Sequence, residues 1–192
     1  PSQPNYVALV AGDLLGVTDN DRHVIDARHL GDLVEAKGLD WHVYAEGFPG
    51  DCSQVATRGE YARRHVPFLS FGNVADDPQR CAKITDAAGF SADALAGRLP
   101  AFSLYVPDNS SNGHDTGVEA ASRWLERTFE PLLASPTFRQ GTLFIVTFDE
   151  GTAADNRVFT VLLGEHVKAG AVSDRPYTPY SLLRTIEAAL GL

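Results

Sequence analysis

The chain has 192 residues, of which 44% are hydrophobic and 21% are charged, and its formal net charge is −9. This composition is typical of one globular domain with a sizeable core, and it argues against disordered, collagen-like or coiled-coil proteins. The negative charge argues against nucleic acid as the main partner, because such binding relies on Lys and Arg side chains that neutralise phosphates. No apolar run approaches the roughly 20 residues that a membrane-spanning helix needs, so no membrane span is expected.

Apolar runs along the chain predict strands. Several of the runs are near-continuous rather than alternating, which suits strands buried on both faces of a parallel sheet. The first run fits the start of a helix equally well. The predicted strands are Tyr6–Ala11, Trp41–Ala45, Phe102–Val106, Leu143–Phe148 and Val158–Leu163.

Apolar residues at helical spacing predict helices between these strands. The predicted helices are His29–Ala36, Gly117–Leu133 and Ser181–Leu190, the last with Ser181 as the candidate N-cap. In the second helix one apolar stripe holds Val118, Ala121, Trp124, Leu125 and Phe129. Strands that alternate with helices indicate an α/β sheet with right-handed crossovers.

Residues 46–100 are richer in Gly, Pro and polar residues, which indicates an irregular insertion over one end of the sheet. This segment holds both cysteines, Cys52 and Cys81, and their spacing is not that of a metal site. The pair could form a disulfide or remain as two buried thiols. A disulfide is favoured, and it would indicate an oxidising compartment.

Polar residues follow two of the predicted strands, where α/β sheets bind their ligands. Asp149 and Glu150 come directly after the run LFIVTF, and two acids there are unfavourable unless they are solvated or hold a cation. The run FSLYV is followed by the loop PDNSSNGHDTG, which can present His114 as an acid or a ligand before a helix N-terminus. The alternatives are a strand-end turn for the acids and, for the loop, a turn in which Asp115 or Thr116 caps the helix.

Two further stretches carry groups suited to phosphate chemistry. The opening stretch PSQPNY places the Ser2 hydroxyl on a conformationally limited turn, and a metal held by the acids could activate it. The stretch YARRHVPF places arginines and His65 where they could contact a phosphate. The alternatives are a plain loop and a solvated basic turn.

Taken in order, these pieces resemble the phosphoesterase family of secreted acid phosphatases and phospholipases C, a branch of the alkaline phosphatase superfamily. The resemblance runs from Pro1 to Leu192 and rests on the series PSxPNY, GVTD, YARxHxPF, PDxxxxxHDxG, FDEG, VKxG and YSLLRTIE. It implies one phosphoesterase domain over residues 1–192, with a doubly wound, mostly parallel α/β sheet that carries helices on both faces. It also implies a secreted, periplasmic or cell-surface protein.

The resemblance assigns catalytic and substrate-binding roles. Ser2 stands at the position of the family's nucleophile, which would form a phosphoserine, and Asn5 would hydrogen-bond a phosphoryl oxygen. His114, with Asp115 beside it in the substrate site, would protonate the leaving oxygen. His65 would line the phosphate pocket. The expected partner is a small phosphorylated substrate or a phospholipid headgroup.

The resemblance also implies a metal site and a covalent cross-link. Asp149 and Glu150 match the family's metal-binding acids, and the divalent ion could be Ca²⁺, Mg²⁺, Mn²⁺, Zn²⁺ or Fe. Cys52 and Cys81 match a pair that forms the family's disulfide.

The chain departs from the family pattern at several positions. An earlier strand that ends in a metal-binding Glu-Asn pair would precede Pro1, so the domain is expected to be N-terminally incomplete and to lack its first strand. Arg157 stands where the family often has His; it could bind phosphate but could not ligate a metal. We therefore expect a metal-dependent phosphoric ester hydrolase. The alternatives are a phospholipase C-type phosphodiesterase and a non-catalytic relative that binds phosphate-bearing ligands.

Overall fold

A computed structural model describes residues 1–52 and 55–192. Short 3₁₀ turns at Arg63–His65, Pro67–Ser70 and Ala87–Gly89 accompany its helices and strands. In chain order these are α1 (Ser2–Ala11), α2 (Leu30–Ala36), β1 (Trp41–Ala45), β2 (Thr57–Arg58), β3 (Tyr61–Ala62), α3 (Gly72–Ala75), α4 (Pro78–Cys81), β4 (Ile84–Asp86), α5 (Phe90–Leu95), β5 (Phe102–Val106), α6 (Val118–Ala134), α7 (Pro136–Arg139), β6 (Phe144–Thr147), β7 (Thr160–Leu163) and α8 (Pro179–Leu190).

A parallel sheet with the strand order β4-β1-β5 forms the centre of the fold. Val43 of β1 lies opposite Ile84 on one side and Leu104 on the other. The predicted strands over β1 and β5 are confirmed, and so is the α/β class, because helices connect these parallel strands. The finer expectation of a doubly wound, alkaline phosphatase-like sheet stays a prediction.

The predicted strands over β6 and β7 are confirmed, but they lie outside the parallel sheet. They pair antiparallel as a separate two-stranded sheet, with Phe144 opposite Leu163 and Thr147 opposite Thr160. Residues 148–159, which join them, contain no helix. A parallel pair needs a crossover, usually a helix, whereas a reversed strand needs only a loop.

The opening apolar run forms a helix, so the strand prediction for Tyr6–Ala11 is wrong and its helical alternative is confirmed. Pro4 is tolerated because it lies in the first turn, where its missing N–H leaves no hydrogen bond unmade. Gly12 ends the helix with a φ of 70°, and its N–H donates to the Ala8 carbonyl at 3.0 Å. The helix packs against α8 and the 3₁₀ turns that follow β3.

Residues 46–100 are less irregular than the sequence indicates. They contribute β4 to the parallel sheet and also contain the short helices α3, α4 and α5. The apolar run of β4 is too short to show a period, because the strand spans three residues. The predicted disulfide between Cys52 and Cys81 is present, with the two Cα atoms 5.8 Å apart.

The predicted helices are confirmed with shifted ends. Helix α8 begins at Pro179, and its N-cap is Thr178 rather than Ser181. Ser181 instead occupies the third helical position of a capping box, in which the Thr178 N–H donates to its hydroxyl at 3.2 Å. Val118 does not join the buried stripe of α6: it begins the helix and is 76% exposed.

Two apolar clusters form the core. The larger one surrounds Trp41, whose ring stacks on Phe68 with centroids 4.6 Å apart. The smaller one joins Tyr44, Phe90 and Phe129 beneath α5 and α6. Within the described ranges, no helix has both the length and the apolar character needed to cross a bilayer.

Candidate active site

The first turn of α1 meets the loop that follows β6. Ser2 is buried there, and its hydroxyl donates to Glu150 Oε1 at 3.0 Å. The Ser2 hydroxyl also lowers the pKa of the neighbouring Asp149 carboxyl. The structure therefore brings together the predicted nucleophile and both predicted metal ligands.

The Asp149 carboxylate is poorly compensated by the protein around it. Burial raises its pKa above the ordinary value of 3.8, and the hydrogen bond from Ser2 opposes that rise. Its Oδ2 atom is buried and accepts no hydrogen bond within the described part of the chain. A buried acceptor of this kind is stabilised by a proton or by a cation.

Tyr6 lies one helical turn after Ser2, on the same side of α1, and the sequence reasoning did not single it out. Burial raises the pKa of its phenol well above 10, and the charges of Asp149 and Glu150 raise it further while Arg64 lowers it. The phenol therefore stays protonated beside the two carboxylates. The spacing of Ser2 and Tyr6 was the available signal, because residues four apart share a helix face.

His65 is buried beside this group, with its ring centroid 5.5 Å from that of Tyr6. Burial lowers the pKa of the imidazole to about 4, and the positive charges of Arg64 and His114 add to the effect. His65 is therefore neutral at mildly acidic and neutral pH. It can donate or accept a hydrogen bond there, but it supplies no positive charge.

His114 lies on the exposed loop after β5. Its Nδ1 atom is 2.5 Å from Asp115 Oδ1, a contact that orients the ring and leaves Nε2 for another partner. The charge of His114 also helps to lower the pKa of buried His65.

Two predicted substrate-binding residues have no hydrogen bond to the carboxylate pair. The side-chain amide of Asn5 donates to the Pro1 carbonyl at 3.3 Å. Arg157 is exposed, and its backbone carbonyl packs against Gly151. Their proposed roles toward phosphate stay predictions.

The oxygen atoms around Ser2 fit part of a divalent cation site. Carboxylate and hydroxyl oxygens are the donors that Mg²⁺, Ca²⁺ and Mn²⁺ prefer, and Asp149 Oδ2 is a buried oxygen without a donor. Residues 1–52 and 55–192 contain no group of three or more His, Cys, Asp and Glu side chains suited to a metal. By themselves, Asp149 and Glu150 would supply only part of a ligand set.

A cavity of about 390 Å³ lies at the carboxyl ends of the parallel strands. Glu46, Asp86 and Asp108 line it, together with Tyr105 and Trp124. Glu46 accepts hydrogen bonds from the Tyr105 hydroxyl at 2.8 Å and the Trp124 indole at 2.9 Å. The carboxylate pair beside Ser2 is the better candidate site, because it adds a buried serine hydroxyl and the unpartnered Oδ2 atom of Asp149.

Comparison with known proteins gives a consistent result. The model of the phosphoesterase family matches residues 1–192. The chain is 34% identical over 205 residues to a phosphate-repressible acid phosphatase of Penicillium chrysogenum, and 34% identical over 203 residues to a probable acid phosphatase of Kluyveromyces lactis. It is 32% identical over 198 residues to a phosphatidylinositol-3-phosphatase of Mycobacterium tuberculosis.

These alignments cover the chain more fully than they cover the relatives. They include 100%, 98% and 100% of this chain, in the same order, but 50%, 48% and 63% of the three relatives. The chain thus spans about half the length of the fungal relatives it matches.

Proposed function

This chain belongs to the phosphoesterase family, and we propose that it carries the core of a phosphoric ester hydrolase of the acid phosphatase kind. The observation that supports the proposal is the 3.0 Å hydrogen bond from the Ser2 hydroxyl to Glu150. The Asp149 carboxylate lies next to the same hydroxyl. A hydroxyl held by carboxylates has a fixed direction of attack.

In the proposed reaction, the Ser2 hydroxyl releases its proton to solvent, and Oγ attacks the phosphorus atom. The bond between phosphorus and the ester oxygen breaks, and His114 gives a proton to the leaving oxygen, with Asp115 orienting the ring. Water then cleaves the phosphoserine, releasing phosphate and restoring the serine hydroxyl. The protein mainly supplies positioning and charge neutralisation, as in other phosphoryl transfers.

A divalent cation fits this proposal because the free Oδ2 atom of Asp149 lacks a donor. Asp149 and Glu150 would hold the ion, whose charge would lower the pKa of the serine hydroxyl and neutralise the phosphoryl oxygens. The residues around it have separate tasks. Tyr6 stays a hydrogen-bond donor, and His65 lines the phosphate pocket in its neutral form.

The remaining assignments follow from the same proposal. Arg157 would turn toward a bound phosphate, since its side chain forms no ion pair within the described residues, and Asn5 would exchange its hydrogen bond to the Pro1 carbonyl for one to a phosphoryl oxygen. A doubly wound sheet would place the strand-end loops at one edge, as Asp149 and His114 require. The Cys52–Cys81 disulfide supports a secreted or cell-surface location, because such bonds persist in oxidising compartments.

A non-catalytic protein that binds phosphate-bearing ligands is the second candidate. It is favoured by the partial ligand set, because the described residues include no group of three metal-binding side chains. A phosphodiesterase of the phospholipase C kind would use the same serine and differ in the leaving group.

Hydrolysis of p-nitrophenyl phosphate and bis-p-nitrophenyl phosphate tests the proposal in the full-length natural polypeptide. The assay spans mildly acidic to neutral pH, with and without EDTA, and compares the parent with Ser2→Ala. Monoester turnover lost in both EDTA and Ser2→Ala would support a metal-dependent serine phosphatase, whereas diester turnover would indicate the phosphodiesterase. No turnover, together with retained binding of inorganic phosphate, would favour the non-catalytic candidate.

A further inference from the structure

A small cavity beside the N-terminal turn of α1 is lined by positively charged side chains, although the chain as a whole is negatively charged. Its volume is about 80 Å³, and Arg22, Arg63 and Arg64 line it, in a chain whose net charge is −9. We call it the arginine pocket. Its polar lining is completed by Gln3, Asn20 and Asp21.

The arginines of this pocket have hydrogen-bonding capacity left over. Arg63 is 6% exposed, and one of its terminal nitrogens donates to the Leu69 carbonyl. The Nε atoms of Arg63 and Arg64 are buried and have no hydrogen-bond partner in the described ranges. Over those ranges none of the three arginines forms an ion pair, although Asp21 lies in the pocket wall.

A buried guanidinium that has no ion-pair partner is energetically unfavourable unless an anion binds to it. Burial and the nearby charge of Arg22 lower the pKa of the Arg63 guanidinium, and taking a charge out of water without a partner destabilises the fold. Planar guanidinium groups match the oxygens of phosphate in paired hydrogen bonds. At about 80 Å³ the pocket has room for a small anionic group.

The arginine pocket adjoins the candidate active site. The side-chain oxygen of Asn20, in the pocket wall, accepts a hydrogen bond at 3.0 Å from the backbone N–H of Gln3, the residue after Ser2. Arg64 lines the pocket, and its charge also acts on Tyr6 and His65. One molecule could therefore contact both the arginine pocket and the candidate active site at Ser2.

We infer that the arginine pocket binds a phosphate group, and that it takes the second phosphate of a substrate whose first phosphate lies at Ser2. This inference rests on the proposed function and narrows its substrate class to molecules with two phosphate groups. The same pocket chemistry would accept free phosphate, so the experiment separates the two sources.

The kinetic experiment uses linear alkanediol bisphosphates of increasing chain length and the matching alkyl monophosphates. Arg22→Gln is the test variant, because Arg22 is exposed and its loss leaves Arg63 and Arg64 in place. Arg123→Gln, on the exposed face of α6, is the matched control. We expect Arg22→Gln to lower kcat/KM about tenfold or more for the best bisphosphate, and less than about twofold for its monophosphate.

The binding experiment does not depend on turnover. Calorimetry with inorganic phosphate should show one binding site fewer in Arg22→Gln than in the parent and in Arg123→Gln, with melting curves as the check on folding. If that site is lost while the preference for bisphosphates stays unchanged, the pocket binds free phosphate and its role in substrate choice is overturned. Equal phosphate stoichiometry in all three proteins would overturn the anion site itself. If no ester is hydrolysed, the proposed function fails, and calorimetry still decides the pocket.

Discussion

The Ser2 hydroxyl donates to Glu150 Oε1 at 3.0 Å, although 148 residues of sequence separate the two. This contact joins the first turn of α1 to the loop after β6. It exists because α1 packs on α8 and on the 3₁₀ turns, which hold the helix against the rest of the fold. The candidate site is therefore a product of tertiary packing rather than of one local motif.

Ser2→Ala should abolish phosphomonoester turnover, with a loss of at least about 1,000-fold in kcat, because no other group would accept the phosphoryl group. Acid quenching of the parent during turnover should trap one phosphoryl group on the peptide that contains Ser2, as read by mass spectrometry. Ser110→Ala, which removes an exposed hydroxyl bonded to Asp108, is the matched control and should keep full activity. Substantial turnover by Ser2→Ala would rule out the serine nucleophile.

Asp149→Asn should weaken divalent metal binding by more than the roughly ten- to hundredfold typical of residues outside the ligand shell. Metal titration followed by calorimetry measures this loss, with the exposed Asp26→Asn as the control. Unchanged metal affinity would remove Asp149 from the ligand set.

In the metal-free protein, the ionised Asp149 should lower the free energy of unfolding, and Asp149→Asn should remove that effect. Burial raises the pKa of Asp149, so its ionised form disfavours the folded state. The free energy of unfolding of the parent should therefore rise, relative to Asp149→Asn, as the pH falls through that raised pKa toward 3.8. Urea unfolding in EDTA over a pH series measures the difference. A difference that does not vary with pH would mean that Asp149 titrates normally.

The sequence could single out Asp149 and Glu150 because they directly follow an apolar run that ends as a strand. The run lies in the antiparallel pair of β6 and β7, so the rule for parallel sheets that suggested these residues does not describe their surroundings. Tyr6 could not be chosen in the same way, because its importance comes from burial beside groups that are distant in sequence.

Errors in the predicted fold have equally physical causes. The run VALVA has no polar residue to mark a period, so its sequence fits a strand and a helix equally well. Its packing against α8 belongs to the folded chain and is not visible in the run itself. β4 is three residues long and shows no period at all. The antiparallel pairing of β6 and β7 depends on the loop between them, whose path strand propensity does not describe.

His65 should make the protein less stable in acid. Its pKa is lowered to about 4 from an ordinary 6.5, so below pH 6.5 the unfolded chain takes up a proton that the folded chain refuses. Stability from this group should be fully present above pH 6.5 and lost as the pH falls to about 4, by up to about 3 kcal/mol. His65→Gln should flatten this part of the pH dependence in urea unfolding, whereas His23→Gln, on the surface, should not. Parallel curves for the parent and His65→Gln would contradict the buried, neutral imidazole.

The Cys52–Cys81 disulfide should contribute strongly to stability, because it closes a loop with a sequence separation of 29. Loop-closure entropy predicts a loss of about 3–4 kcal/mol when the bond is removed. For a domain of this size, the loss corresponds to a fall in Tm of roughly 10 °C. Thermal unfolding of the double variant Cys52→Ser/Cys81→Ser, and of the parent with and without reductant, measures it. Reductant should lower the Tm of the parent and leave the double variant unchanged, since it has no bond to reduce. A parent indifferent to reductant under denaturing conditions would show that the bond does not form in solution.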